Sequence, residues 1–284
     1  MTEGCDKIKV CCIGAGVMGG ALMKSVIQAV GGENLTVTDF CEEKAQEYAQ
    51  RQGCRWAKTN RDAVQTADVI FIAVKPQKVQ SVIEEVGDLL AGKTVISMAA
   101  GVSLKSLQEF SAPFNVGDGK TSSIKLFRIM PNIPAVVGEG MIALCCLEGT
   151  EGESKENLEQ IVSLLAHAGR VEIVEEKLMD AVTAISGSGP AYAFIFIEAL
   201  ADAAVSLGMT RNQAYIYAAQ TLKGAATYML ESNRHPGELK DAVCSPAGTT
   251  IAAVEVLEKE GFRAGIMAAA KAAYDRSKEL GSKK

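Results

Sequence analysis

The chain has 284 residues, 48% of them apolar and 22% charged, with a formal net charge of −5. That length holds one large or two medium domains, and the composition is globular, neither disordered nor fibrous. A sequence pI near 5.3 argues against a broad electrostatic grip on nucleic acid or an anionic membrane, so an anionic substrate needs a local site.

No apolar run approaches the roughly twenty residues of a membrane span, and Met1–Asp6 carries no signal-peptide pattern. Cys11, Cys12, Cys145 and Cys146 fall inside apolar runs, and Cys5, Cys41, Cys54 and Cys244 are scattered without a Cys-x-x-Cys pair. Buried reduced thiols in a cytoplasmic protein are expected. The two histidines, His167 and His235, are far apart and give no basis for a metal site.

In chain order, Ile8–Ile13 reads as a buried strand, followed by Gly14-Ala15-Gly16-Val17-Met18-Gly19 and a helical pattern. Gly14 permits the tight turn, Gly16 lets the backbone approach a pyrophosphate, and Gly19 lets the helix pack on the strand. The helix N-terminus offers free N–H groups to the phosphates. Leu35–Asp39 reads as the second strand, with Asp39 about twenty residues past Gly19, where an acid can grip the adenosine ribose. A polar helix ends at Gly53; a short strand is expected at Arg55–Ala57 and a short helix from Asn60. Asp68–Val74 has the length of a buried parallel strand, with Lys75-Pro76 at its carboxyl end, where ligands bind in open α/β sheets. Strands at 93–99, 124–130, 140–146 and 170–174 alternate with helices from Val79, Ser103 and Glu153. The order predicts an α/β, Rossmann-type, doubly wound sheet over residues 1–175.

Residues 176–284 change character. Ser186-Gly-Ser-Gly-Pro190 reads as a break, and Ala191–Leu207 and Asn212–Leu230 are alanine-rich and apolar on most faces. We expect an all-α domain that forms much of a dimer interface. The turn Ser245-Pro-Ala-Gly-Thr-Thr250 ahead of a helix offers hydroxyls and N–H groups to a carboxylate; a plain loop with a threonine cap is the competing reading.

Seven motifs occur in order. They are Gly14-Ala-Gly-Val-Met-Gly19, Ala73-Val-Lys-Pro76, Met98-Ala-Ala-Gly-Val102, Met130-Pro-Asn-Ile-Pro134, Ser186-Gly-Ser-Gly-Pro-Ala-Tyr192, His235-Pro-Gly-Glu-Leu-Lys-Asp241 and Ser245–Thr250. Together they resemble the pyrroline-5-carboxylate reductase family of proline biosynthesis. The resemblance implies hydride transfer from NAD(P)H to the C=N bond of 1-pyrroline-5-carboxylate, giving L-proline. It implies a substrate carboxylate on Ser245, Gly248, Thr249 and Thr250, with Thr250 near the ring nitrogen and Glu176 close to the substrate. Nucleotide contacts carry over to Ile13, Gly14, Ala15, Gly16, Val17 and Met18, and to Asn60, Val74, Lys75 and Ala100. Homodimers whose partner chains complete each site, often assembled into decamers, are implied as well.

Three positions depart from the family pattern: Ala247 replaces a usual glycine, Ile133 a common threonine, and Asp39 the residues that meet a 2′-phosphate. The last puts the family's usual NADPH preference in doubt. Another imine or 3-hydroxyacid reductase would share the glycine turn without the turn at 245–250. A non-catalytic nucleotide sensor would need no second anion site.

Overall fold

The computed structural model describes residues 8–114, 123–147 and 154–282. Met1–Asp6, Cys5 and the expected helix start at Glu153 lie outside them. The chain divides into two compact units, one running to Gly187 and taking up the chain again from Ala273, the other Ser188–Ala272. That division differs from the expected boundary at 175/176.

The first unit is built on one eight-stranded sheet. Its strands are β1 (Val10–Ile13), β2 (Leu35–Thr38), β3 (Arg55–Trp56), β4 (Val69–Ile72), β5 (Thr94–Ser97), β6 (Lys125–Met130), β7 (Gly140–Cys146) and β8 (Gly169–Ile173). Their order is β3-β2-β1-β4-β5-β6-β7-β8. Every pairing is parallel except β6 with β7. Around it lie α1 (Val17–Val30), α2 (Glu42–Gln52), α3 (Asn60–Gln65), α4 (Val79–Val86), α5 (Leu104–Ser111), α6 (Lys155–Leu165) and α7 (Met179–Val182).

β1 and β4 are buried along their whole length, because helices cover both faces; that is why they read as unbroken apolar runs instead of alternating ones. The period of two reappears in what each side chain meets. Val69 and Phe71 join Leu22, Met23 and Val26 of α1, whereas Ile70 and Ile72 join Val79 and Ile83 of α4 and Leu107 of α5. Each such side chain contributes about 1.5–3 kcal/mol on burial. Gly53 closes α2 at φ 68°. Ser103 accepts from Ser106 N at 3.1 Å, the cap expected of it.

The second unit holds α8 (Gly189–Ser206), α9 (Arg211–Ser232), α10 (Pro236–Ala242), α11 (Thr249–Lys259) and the first part of α12 (Phe262–Ser282). Thr210 and Gln213 form a capping box at the start of α9. Its small core is Ala201, Ala214 and Ala218. The expectation of buried apolar helices is not met within one chain. Phe194, Ile195, Ile216 and Tyr217 are each more than 60% exposed.

The break expected at the Ser-Gly-Ser-Gly-Pro segment is present: Thr183–Gly187 forms a π turn, and α8 starts afresh at Gly189 with Ser188 as its N-cap. Pro190 lies in the first turn of α8, where its missing N–H costs no hydrogen bond. Taken as one stretch, Glu176–Ser206 is long and apolar enough, by length and composition alone, to cross a membrane, where no such stretch was expected.

Candidate active site

The glycine turn joins β1 to α1 at the carboxyl edge of the sheet. Gly14 has φ 108°, and a Cβ there would lie 2.7 Å from Ala73 O. A Cβ on Gly19 would collide with Gly14 O and come within 2.9 Å of the Ala73 side chain. Both positions require glycine, one for its dihedral and both for close packing. Gly16 is different: nothing lies within 4 Å of where its Cβ would be. That open space beside the N-terminus of α1, which carries no acid in its first turn, fits a pyrophosphate approaching the backbone.

The other expected nucleotide residues gather at the same edge. Asp39 follows β2; its Oδ2 accepts from Ala15 N at 2.8 Å and its Oδ1 from Cys41 N at 3.0 Å. Val74 and Lys75 follow β4, Lys75 exposed, and Ala100 lies exposed in the turn after β5. Ile13 is buried in β1, so its side chain is closed off from the surface. Asn60 opens α3, and its side-chain amide donates to Glu85 Oε2 at 2.7 Å.

Glu176 belongs to the first unit. Its Oε1 accepts from Leu104 N, in the first turn of α5, at 2.7 Å and from Arg128 Nη1 at 3.2 Å. The Arg128 side chain is 8% exposed, so Glu176 neutralises a cation that has little water to do so. The pair borders a cleft of about 500 Å³ lined also by Ser103, Cys146, Val174 and Asp180. Burial pushes the neighbouring Cys145 thiol up to about 12, the Glu176 charge adding to the effect.

The candidate carboxylate turn lies in the second unit. Gly248 N donates to Ser245 O at 3.0 Å. With Pro246 following Ser245 and Ala247 at φ 55°, this is the pattern of a type II turn, which favours glycine at Ala247's place. A Cβ on Gly248 would collide with Ser245 Oγ. Gly248 is the N-cap of α11, with no side-chain cap bond. A threonine cap is therefore not how this helix starts. Thr249 and Thr250 occupy its first two positions, and the N–H groups of the first turn have no intrahelical acceptor. They lie on a turn in which Ser245 and Thr249 are exposed and Gly248 and Thr250 half-buried, beside two hydroxyls, an arrangement suited to a carboxylate.

Three features escaped the sequence reading. Arg128 stood as a charge inside the apolar stretch Leu126–Met130, a signal of a buried ion pair. The Asp39–Ala15 bond joins residues too far apart in sequence to be paired by pattern. The Ser186 hydroxyl is buried on the π turn without a hydrogen-bond partner among the described residues, and nothing in the sequence marked it.

Residues 176–280 match the family model for pyrroline-5-carboxylate reductase dimerisation, and 9–101 match that for NADP oxidoreductase, coenzyme F420-dependent. A pyrroline-5-carboxylate reductase of Methanosarcina acetivorans is 42% identical over 97% of this chain and 98% of its own length. Among solved structures, the Plasmodium falciparum pyrroline carboxylate reductase with NADP bound superposes with TM-score 0.80 at 31% identity, covering 98% of this chain and all of its own. The Coxiella burnetii pyrroline-5-carboxylate reductase superposes at 0.84 with 33% identity over 96% of this chain and 98% of its own. Identity at this level over nearly the full length covers both the glycine turn and the carboxylate turn, and the chain belongs to the pyrroline-5-carboxylate reductase family.

Proposed function

We propose that the chain reduces 1-pyrroline-5-carboxylate to L-proline with NAD(P)H. The observation that carries this reading is one chain bearing a glycine turn with open space at Gly16 and, at Thr249–Thr250, a helix start whose first N–H groups have no intrahelical acceptor. The family model and the full-length relatives support it. Residues 1–175 supply the nucleotide-binding part and 176–284 the helical part for substrate binding and dimerisation.

Gly14, Gly16 and Gly19, with the N-terminus of α1, hold the pyrophosphate, and Asp39 meets the adenosine ribose. Val74, Lys75 and Ala100 flank the nucleotide at the ends of β4 and β5. In the second unit, Ser245, Gly248 and Thr249 hold the substrate carboxylate, and the Thr250 hydroxyl orients the ring nitrogen. When bound, the reduced nicotinamide supplies a hydride, two electrons with one hydrogen, to the imine carbon, and the ring nitrogen keeps its proton as the C=N double bond becomes single. A protonated imine is already electrophilic, so the chain's task is to orient it. Holding donor and acceptor near roughly 3–3.5 Å supplies much of the acceleration. The protein acts in the cytoplasm as a homodimer whose partner chains complete each site, with assembly into decamers carried by family resemblance alone.

The test is oxidation of NADH or NADPH by purified protein at saturating 1-pyrroline-5-carboxylate. Turnover to proline is expected; a rate no higher than without enzyme refutes the proposal.

A further inference from the structure

We infer that the turn from β2 into α2, Asp39–Glu43, makes this chain select NADH over NADPH. The inference rests on the nucleotide-binding reading above and deepens it.

Asp39 is fixed at the lip of the glycine turn by two backbone donors, Ala15 N and Cys41 N. Each carboxylate oxygen retains lone-pair capacity for a ribose hydroxyl. A 2′-phosphate requires the opposite surroundings, a cation or an unused helix N-terminus. α2 starts one residue past Cys41, but its positive end is already served by the chain's own carboxylates. Asp39 takes the Cys41 N–H, and Glu42 and Glu43 stand in the first turn. The Glu43 carboxyl is held below the usual carboxylate range by its own backbone N–H and by the Cys41 thiol, so it stays charged.

The cations facing this turn do not reverse its sign. Lys58 Nζ lies 3.9 Å from Glu42, where its charge is offset, and Lys44 is exposed on α2 itself. Around this turn three carboxylates thus stand against two ammonium groups. Between Asp39 and Cys41, Phe40 projects fully into solvent. An unpacked ring beside a nucleotide site offers a face on which adenine stacks, a contact that gains affinity for both nucleotides alike.

The experiment titrates the purified full-length protein with NADH and with NADPH, following nicotinamide fluorescence. NADH is expected to bind tighter by at least about fivefold, the cost of one like-charge pair near 4 Å in bulk water. The gap should narrow as salt rises. The surface double variant Glu42→Gln, Glu43→Gln should tighten NADPH by about the same factor and leave NADH unchanged. Phe40→Ala should weaken both nucleotides equally. NADPH binding as tightly as NADH in the wild-type protein overturns the selection while leaving the reductase proposal standing. An unchanged NADPH affinity in the double variant overturns the role of Glu42 and Glu43. Binding of neither nucleotide overturns both readings.

Discussion

Replacing Glu176 separates two roles for one carboxylate. Family resemblance implies a place near the substrate, whereas the structure commits its Oε1 to Leu104 N and to Arg128. Truncation to alanine leaves the Arg128 guanidinium, 8% exposed, without its counter-charge, and takes the acceptor from the first turn of α5. Breaking a fully buried pair costs about 3–5 kcal/mol. The Glu176 side chain is 31% exposed, so water recovers part of that loss, and about 3 kcal/mol is expected for Glu176→Ala, the lower end of that range. Glu176→Gln also removes the counter-charge but keeps a neutral acceptor for Leu104 N and Arg128, so a smaller loss than for alanine is expected. Urea unfolding of both variants, paired with kcat/KM, reads the two roles apart. The structural role predicts a graded loss of stability, alanine worse than glutamine, with near-normal turnover in the folded glutamine variant. A Glu176→Ala protein within about 1 kcal/mol of wild type, far short of the cost of breaking a buried pair, would refute the reasoning. A large drop in kcat/KM at unchanged stability would favour the substrate role.

Thr250→Ala should lower kcat/KM by about tenfold to a hundredfold, the cost of a lost hydrogen bond to a charged group. Because Gly248 caps α11, the same variant should keep its melting temperature; a lowered Tm with normal kinetics would reject Thr250 as an orienting group. Ala247→Gly should raise the Tm by a few degrees, since an L-residue at φ 55° costs about 1–2 kcal/mol; an unchanged or lower Tm would show the turn to be unstrained. Burial pushes Cys11 and Cys145 up to about 12, so at pH 8 both stay protonated thiols and should resist alkylation until the chain unfolds. Peptide mapping that finds either one labelled in the native protein would contradict that.

The sheet was readable because its physics is local. A strand covered on both faces must be an apolar run, so β1 and β4 announced themselves. The turn glycines did the same, since Gly14 and Gly19 answer to sterics within a few residues. Reading failed where the deciding partner is distant in sequence or in another chain. Arg128 and Glu176 are joined only by folding. The Ser-Gly-Ser-Gly-Pro segment did mark a helix boundary, but the π turn Thr183–Gly187 just before it carried no local signal. Of the candidate site, the glycine turn and the turn at 245–250 were legible as shapes. The substrate class came from the order of seven motifs, since hydroxyls and N–H groups describe a carboxylate without naming the molecule that bears it.

The apolar surface of the helical unit poses a choice that residue chemistry decides. Only 11% of the most apolar window in Glu176–Ser206 is buried within the chain, so something else covers it: lipid or protein. A lipid-facing span would have to carry Glu198 and Asp202, and an acid near the bilayer centre costs about 2.5–3.5 kcal/mol. Asp202 moreover pairs with Arg211 of α9 at the exposed surface, 2.5 Å between Nη1 and Oδ1, which suits water and not hydrocarbon. A protein partner tolerates both, because rim charges stay hydrated while Phe194, Ile195 and Ile216 are buried. The match of residues 176–280 to a dimerisation family points the same way. A second copy of the chain is therefore the expected cover, and sedimentation at micromolar concentration should show at least a 60 kDa species, twice the 30.0 kDa chain mass. Introducing a charge as Ile195→Asp should yield monomer or insoluble chain, as an unpaired carboxylate in an apolar interface costs several kcal/mol. A wild-type protein sedimenting as monomer without detergent, or an Ile195→Asp variant that still dimerises, would mean this face is not the interface.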